Sequence, residues 1–108
     1  LLSEGAGRFR RATLAETGLA PAALDAGDVD GDGRAEVFCA AQNSHQVNVW
    51  TPVVAGGFAL RRLADLGAGL GPLDVHLVDL DGDGRLDLVT ANNFSHDLSV
   101  AYNLARVP

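Results

Sequence analysis

Shifted by fifty-one residues, the chain overlays its own image. Residues 21–50 align with residues 72–101 without a gap, and eleven of the thirty positions are identical. The identities include Pro21/Pro72, the acidic stretches that follow them, Ala40/Ala91, Ser44-His45/Ser95-His96 and Val49/Val100. Upstream, "GRFRRATLAETGLAP" resembles "GGFALRRLADLGAGLGP", with two extra residues in the second copy. A unit of this length is larger than a leucine-rich or ankyrin repeat and has the size of a propeller blade. We therefore divide the chain into repeats at residues 1–57 and 58–108.

Each repeat reads as four short strands. The first are residues 9–15 and 58–66. "ALDAGD" and "LDVHLVD" lead into the acidic stretches, "EVFCAA" and "LDLVTA" follow them, and "QVNVWTP" and "DLSVAYN" come last. Val47, Val49 and Thr51 alternate with Asn48 and Trp50, and Leu98 and Val100 flank Ser99, at the period of two that strands require. Glycine-rich "SEGAG", "VAGG" and "GAGLGP" mark turns. No segment reads as a long helix, so the expected class is all-β.

Charge is concentrated rather than spread. The chain carries 14 acids against 8 basic residues, a net charge of −6. The windows 28–36, "DVDGDGRAE", and 79–87, "DLDGDGRLD", hold eight of the acids and only Arg34 and Arg85. Outside them the charges balance, so this is not a generally acidic, solvating chain. There is no basic stripe for a nucleic acid and no apolar run long enough to span a membrane. The single Cys39 allows no internal disulfide and reads as a small buried apolar residue.

Four carboxylates in nine residues repel one another unless a cation lies between them. Ca²⁺ takes six to eight hard oxygen ligands in flexible geometry. The donors expected are Asp28, Asp30, Asp32 and Glu36 with the backbone carbonyl of Arg34, and Asp79, Asp81, Asp83 and Asp87 with that of Arg85. Gly33 and Gly84 sit where the loop must turn sharply, at positive φ. Gly31 and Gly82 are expected to keep Cβ atoms out of a crowded concave side. An EF-hand needs a bidentate Glu six residues after its conserved Gly; those places hold Cys39 and Thr90, and the flanks alternate like strands.

The pattern Asp-x-Asp-x-Asp-Gly-x-x-Asp followed by an apolar strand resembles the FG-GAP/VCBS repeat, the calcium-binding blade of integrin-α-like propellers. "DVHLVDLDGDGRLDLVTANNFSHDLSVAYN" carries the resemblance closely. "DVDGDGRAEVFCAAQNSHQVNVW" has Glu in place of the last Asp, a ligand one methylene longer that is expected to weaken the first site. "LLSEGAGRF" resembles a blade-to-blade connector. The resemblance implies four-stranded antiparallel blades with two structural Ca²⁺ per chain, each in the loop between a blade's first two strands. Mg²⁺ suits such a cage less well.

Two blades cannot close a ring, since propellers use four to eight. The chain starts with an outermost strand at 9–15 and ends on a third strand at 97–102. The last blade thus lacks its fourth strand, and the first segment lacks a blade to join. Head-to-tail association of three or four copies would close the ring; so would further blades in an absent chain.

No Ser/His/Asp, Cys/His or zinc-type grouping is present, which points away from an enzyme. The expected function is a calcium-stabilised scaffold for adhesion or recognition of a protein or glycan ligand, lectin-like in its sharpest form. The alternative is a non-catalytic propeller piece of a larger secreted enzyme or adhesin. Candidate ligand residues lie on the rim opposite the acidic loops: Asn43, His45, Asn93, Phe94 and His96. Trp50 is expected in a core or between blades, and His76 in a channel or satisfied within its strand. Analogy with the family places the chain outside the cell or in the periplasm.

Overall fold

The computed structural model describes residues 2–10, 16–53 and 59–103. The described residues form nine strands and one 3-10 turn joined by loops, and the fold is all-β. β1 (Leu2–Gly5) and β2 (Arg8–Arg10) form a short hairpin. β3 (Pro21–Gly27), β4 (Glu36–Ala41), β5 (Gln46–Val53) and β6 (Ala59–Gly67) form a four-stranded antiparallel sheet in sequence order. β7 (Pro72–Val78), β8 (Asp87–Asn92) and β9 (Asp97–Ala101) form a three-stranded antiparallel sheet. No helix among the described residues is long and apolar enough to cross a membrane.

The two sheets repeat each other at the level of register. Ala23↔Ala40 and Gly27↔Glu36 in the first correspond to Asp74↔Ala91 and Val78↔Asp87 in the second. Each sheet has a register shift just after its first proline. The connectors repeat as well. Gln42 N donates to Ala20 O (2.9 Å), and Asn93 N to Gly71 O (2.8 Å). Leu19 N donates to Ser44 Oγ (2.6 Å) and Leu70 N to Ser95 Oγ (3.0 Å), so each serine ties the incoming connector to the turn between second and third strands.

β6 heads the second sequence repeat yet pairs with β5 as the fourth strand of the first sheet. The repeat boundary at 57/58 therefore falls inside a sheet. The second sheet stops at its third strand among the described residues, as the strand count anticipates. Of the expected first strand at 9–15, β2 covers residues 8–10, and 11–15 lie outside the described residues, as does the "VAGG" turn.

Side chains alternate across a strand, so each sheet presents two faces. Phe38, Ala40, Val47 and Val49 lie on one face of the first sheet and form the core with Val75 and Leu88 from the second. Ala23, Leu66 and Leu77 pack around them. At Gly27 there is no room for a side chain between the sheets: a Cβ there would lie 2.7 Å from Leu86 Cδ1 and 3.1 Å from Leu77 Cδ1. Polar contacts cross the same boundary, with Leu77 N donating to Asp25 Oδ2 (2.8 Å). Trp50 is buried on the opposite face of the first sheet, together with Cys39, whose thiol pKa is pushed up by burial.

Candidate metal centre

Each acidic loop is tied into shape by its own carboxylates. Asp28 Oδ1 accepts from Gly31 N (2.8 Å) and Asp32 N (3.2 Å), and its Oδ2 from Gly33 N (2.8 Å). Asp79 repeats this with Gly82 N (2.9 Å), Asp83 N (3.1 Å) and Gly84 N (2.8 Å). Asp30 and Asp81 each receive one N–H from two residues on, at 3.2 and 3.3 Å. Asp32 Oδ1 accepts from Arg34 N (2.8 Å) and Asp83 Oδ1 from Arg85 N (2.9 Å). These are Asx-type turns nested around a common centre.

The glycines make the nesting sterically accessible. Gly33 and Gly84 have φ of 84° and 87°, as expected, but Gly31 and Gly82 also lie at positive φ, 80° and 77°. A Cβ at either of the latter pair would meet open space. They are needed for backbone conformation, and the crowded concave side expected for them is not there.

The last carboxylate of each loop differs from the other three. Glu36 and Asp87 are 0 % and 1 % exposed, held at the start of β4 and β8. Glu36 Oε1 accepts from Val29 N (3.1 Å), and Asp87 Oδ2 from Leu80 N (2.9 Å), which closes each loop on itself. Their second oxygens are held differently. Asp87 Oδ1 accepts from the backbone N–H of Asn103 (2.8 Å). The position equivalent to Asn103 is Pro52, which has no N–H. There the Thr51 hydroxyl donates instead, to Glu36 Oε2 (3.1 Å), and the longer glutamate fits this altered partner. The extra methylene that looked like a defect is matched by a changed donor.

One carboxylate oxygen from each of Asp28, Asp30, Asp32 and Glu36 lies within 4.8 Å of the others, and the same holds for Asp79, Asp81, Asp83 and Asp87. Oxygens on one Ca²⁺ at ~2.3–2.6 Å cannot be farther apart than about twice that distance. Both clusters fit a single cation of that size. The electrostatics agree. Partial desolvation, reinforced by the neighbouring carboxylates, raises the pKa of Asp30 and of Asp81. Hydrogen bonds, first from Gly33 N, lower that of Asp28, and the Arg85 N–H and guanidinium lower that of Asp83. Arg85 Nη2 lies 2.6 Å from Asp83 Oδ2, so the second loop carries part of its own neutralisation.

A family model described as an FG-GAP-like repeat matches residues 28–90, more than half of the chain, from the first acidic loop into β8. The chain belongs to the FG-GAP-like repeat family. Comparison with curated proteins and with solved structures returns no match.

The rim opposite the acidic loops of this FG-GAP-like repeat pair is made by the β4–β5 and β8–β9 turns. His45 and His96 hold equivalent left-handed conformations, φ 54° and 56°. Of the five rim residues singled out, the structure brings His45 and Phe94 together edge to face, with ring centroids 6.2 Å apart. His45 Nδ1 also accepts from Gly71 N (2.9 Å), and its carbonyl from Ala68 N (3.2 Å). The side chain expected to meet a ligand thus joins the first turn to the second connector. Asn93 and His96 border an open depression of about 770 Å³ together with Leu73, Ala91 and Leu98. Asn43 is exposed and lines neither this depression nor the other cleft described below. His76 is exposed, with Nε2 3.0 Å from Asp74 Oδ2. Thr51 and Asn103 carry no motif of their own in the sequence; the signal that could have found them is the pairing of Glu36-Pro52 with Asp87-Asn103 between repeats.

Proposed function

We propose that the chain is a calcium-stabilised, non-enzymatic propeller module that serves as a recognition or adhesion scaffold. The observation that carries this reading is the pair of matching four-carboxylate cages, each locked at the junction of its sheet's first two strands. Asp28, Asp30, Asp32 and Glu36 would hold one Ca²⁺ with the Arg34 carbonyl; Asp79, Asp81, Asp83 and Asp87 would hold the second with that of Arg85. The ion supplies the positive charge that lets the carboxylates share one loop. A cation held this way is structural, and the millimolar affinity typical of extracellular modules would suit a chain outside the cell or in the periplasm.

Self-association is the second part of the proposal. The face of the second sheet bearing Leu98 and Val100 is equivalent, through the fifty-one-residue shift, to the face of the first sheet that is buried in the core. Val47 is 1 % exposed, whereas its counterpart Leu98 is 65 % exposed. Leu24 is 70 % exposed, whereas its counterpart Val75 is 1 % exposed. A second copy whose first sheet docks here, with Leu24 in the place of Val75, continues the interface that already exists within the chain. Cys39, Ala41, Asn48 and Trp50 on the Leu24 face are already buried, so the new contact would centre on Leu24, Ala26 and Val37. Three or four copies would complete six or eight blades. The depression by Leu73 and Leu98 lies at the edge of this face, which favours assembly over a glycan site there. A glycan or protein ligand would instead meet the exposed amides and rings of Asn43, Asn93 and Phe94.

Thermal unfolding with and without calcium tests the metal reading. Calcium at 100-fold over its Kd adds about 2.7 kcal/mol per site when only the folded state binds. EDTA is expected to lower Tm and excess calcium to restore it, with magnesium less effective. Identical melting curves in calcium and EDTA would sink the reading.

A further inference from the structure

The two acidic loops are joined through one residue. Asn103 N donates to Asp87 Oδ1 (2.8 Å), the buried last carboxylate of the second loop. Its side-chain Nδ2 donates to Val29 O (2.7 Å), in the first loop and seventy-four residues away. Val29 N in turn donates to Glu36 Oε1 (3.1 Å), the buried last carboxylate of the first loop. Arg85 Nε donates to Asn103 O (3.0 Å), so the second loop grips residue 103 from two sides. Val29 and Asn103 line one cleft of about 260 Å³ between the sheets, beside Phe38, Leu77 and Leu88. The route from Asp87 to Glu36 is continuous in hydrogen bonds. The first sheet has no equivalent link, since Pro52 at that place offers neither an N–H nor an amide side chain.

We infer that Asn103 couples the two cation sites, so that filling the second loop strengthens binding at the first. This rests on the calcium reading above. A cation on Asp87 fixes the carboxylate that orients residue 103, and the oriented amide fixes Val29 and through it Glu36. The first loop then has less freedom to lose when its own cation arrives, which is positive coupling by shared ordering. By linkage the effect is reciprocal. Asn103 belongs to neither carboxylate cluster and acts through Asp87 and Val29; it is a positioning residue.

The experiment is a calcium titration followed by the amide resonances of Gly31 and Gly33 for the first loop and Gly82 and Gly84 for the second. Asp81→Asn disables the second loop. In the otherwise unchanged chain this substitution is expected to weaken calcium at the first loop about fivefold or more, the lower end of ordinary coupling. Asn103→Ala removes only the amide and keeps the backbone N–H on Asp87. On that background Asp81→Asn should leave the first loop's Kd within about twofold, since the coupling has lost its route. Equal weakening with and without the Asn103 amide overturns the inference, and so does no weakening in the unchanged chain. Failure of either pair of glycine resonances to respond to calcium in the unchanged chain overturns the metal reading and the coupling together. Dispersed spectra in every variant separate these outcomes from misfolding.

Discussion

At the scale of single residues, the difference between the two loops is a matter of hydrogen-bond donors. Asp87 meets a backbone N–H, and Glu36 meets a hydroxyl because proline occupies the place of that N–H. Removing Glu36 leaves Val29 N and the Thr51 hydroxyl without their buried acceptor. A buried polar group left unsatisfied costs about 1–3 kcal/mol. Glu36→Ala is therefore expected to destabilise the metal-free protein by about that much, measured by urea unfolding in EDTA so that lost calcium binding plays no part. Thr51→Val keeps the shape, removes one donor and should cost less. If Glu36→Ala were as stable as the parent in EDTA, the buried carboxylate would be serving the cation alone.

At the scale of elements, the acidic loops were legible in the sequence because their geometry is local. A carboxylate two to five residues from the amide it accepts leaves its spacing in the chain, as Asp28 does with Gly31 and Gly33. The strand core was legible for the same reason: Val47 and Val49 alternate whatever lies beyond them. What was not legible depends on how one sheet sits on the other. His45 reads as a rim residue open to a ligand until the second connector arrives to use its Nδ1. Gly27 carries no signal in the sequence, and its counterpart in the second sheet is Val78, 43 % exposed with no sheet of the described residues against it. This contrast gives a paired prediction. Gly27→Ala forces a methyl against Leu86 and Leu77, and overpacking of this kind costs about 1–3 kcal/mol. Val78→Ala, at the equivalent place on the open face, should change stability by only a few tenths of a kcal/mol, in line with substitutions outside a packed core. Denaturant midpoints of the two variants against the parent check both. Equal effects would mean that the sheets are not in contact at Gly27.

At the scale of the molecule, the repeat leaves two faces that each have a buried twin inside the same chain. Leu98, 65 % exposed, stands on one of them. Leu98→Arg places a charge where a docking copy would bury a leucine, while the first sheet and both acidic loops keep their contacts. Sedimentation velocity in calcium is expected to show an assembly for the parent and a single copy for Leu98→Arg, with the same Tm shift on adding calcium. A parent that sediments as one copy would end the assembly proposal and leave the metal reading intact. The offset between repeat and sheet bears on the same question. Because β6 belongs by sequence to one copy and by pairing to the other, scission at residues 57/58 would part β6 from the chain segment whose sheet it completes and leave it joined to the β7–β9 sheet. Neighbouring units are stitched by an exchanged strand, so adding or losing one unit in such an array leaves every seam of the same kind as before.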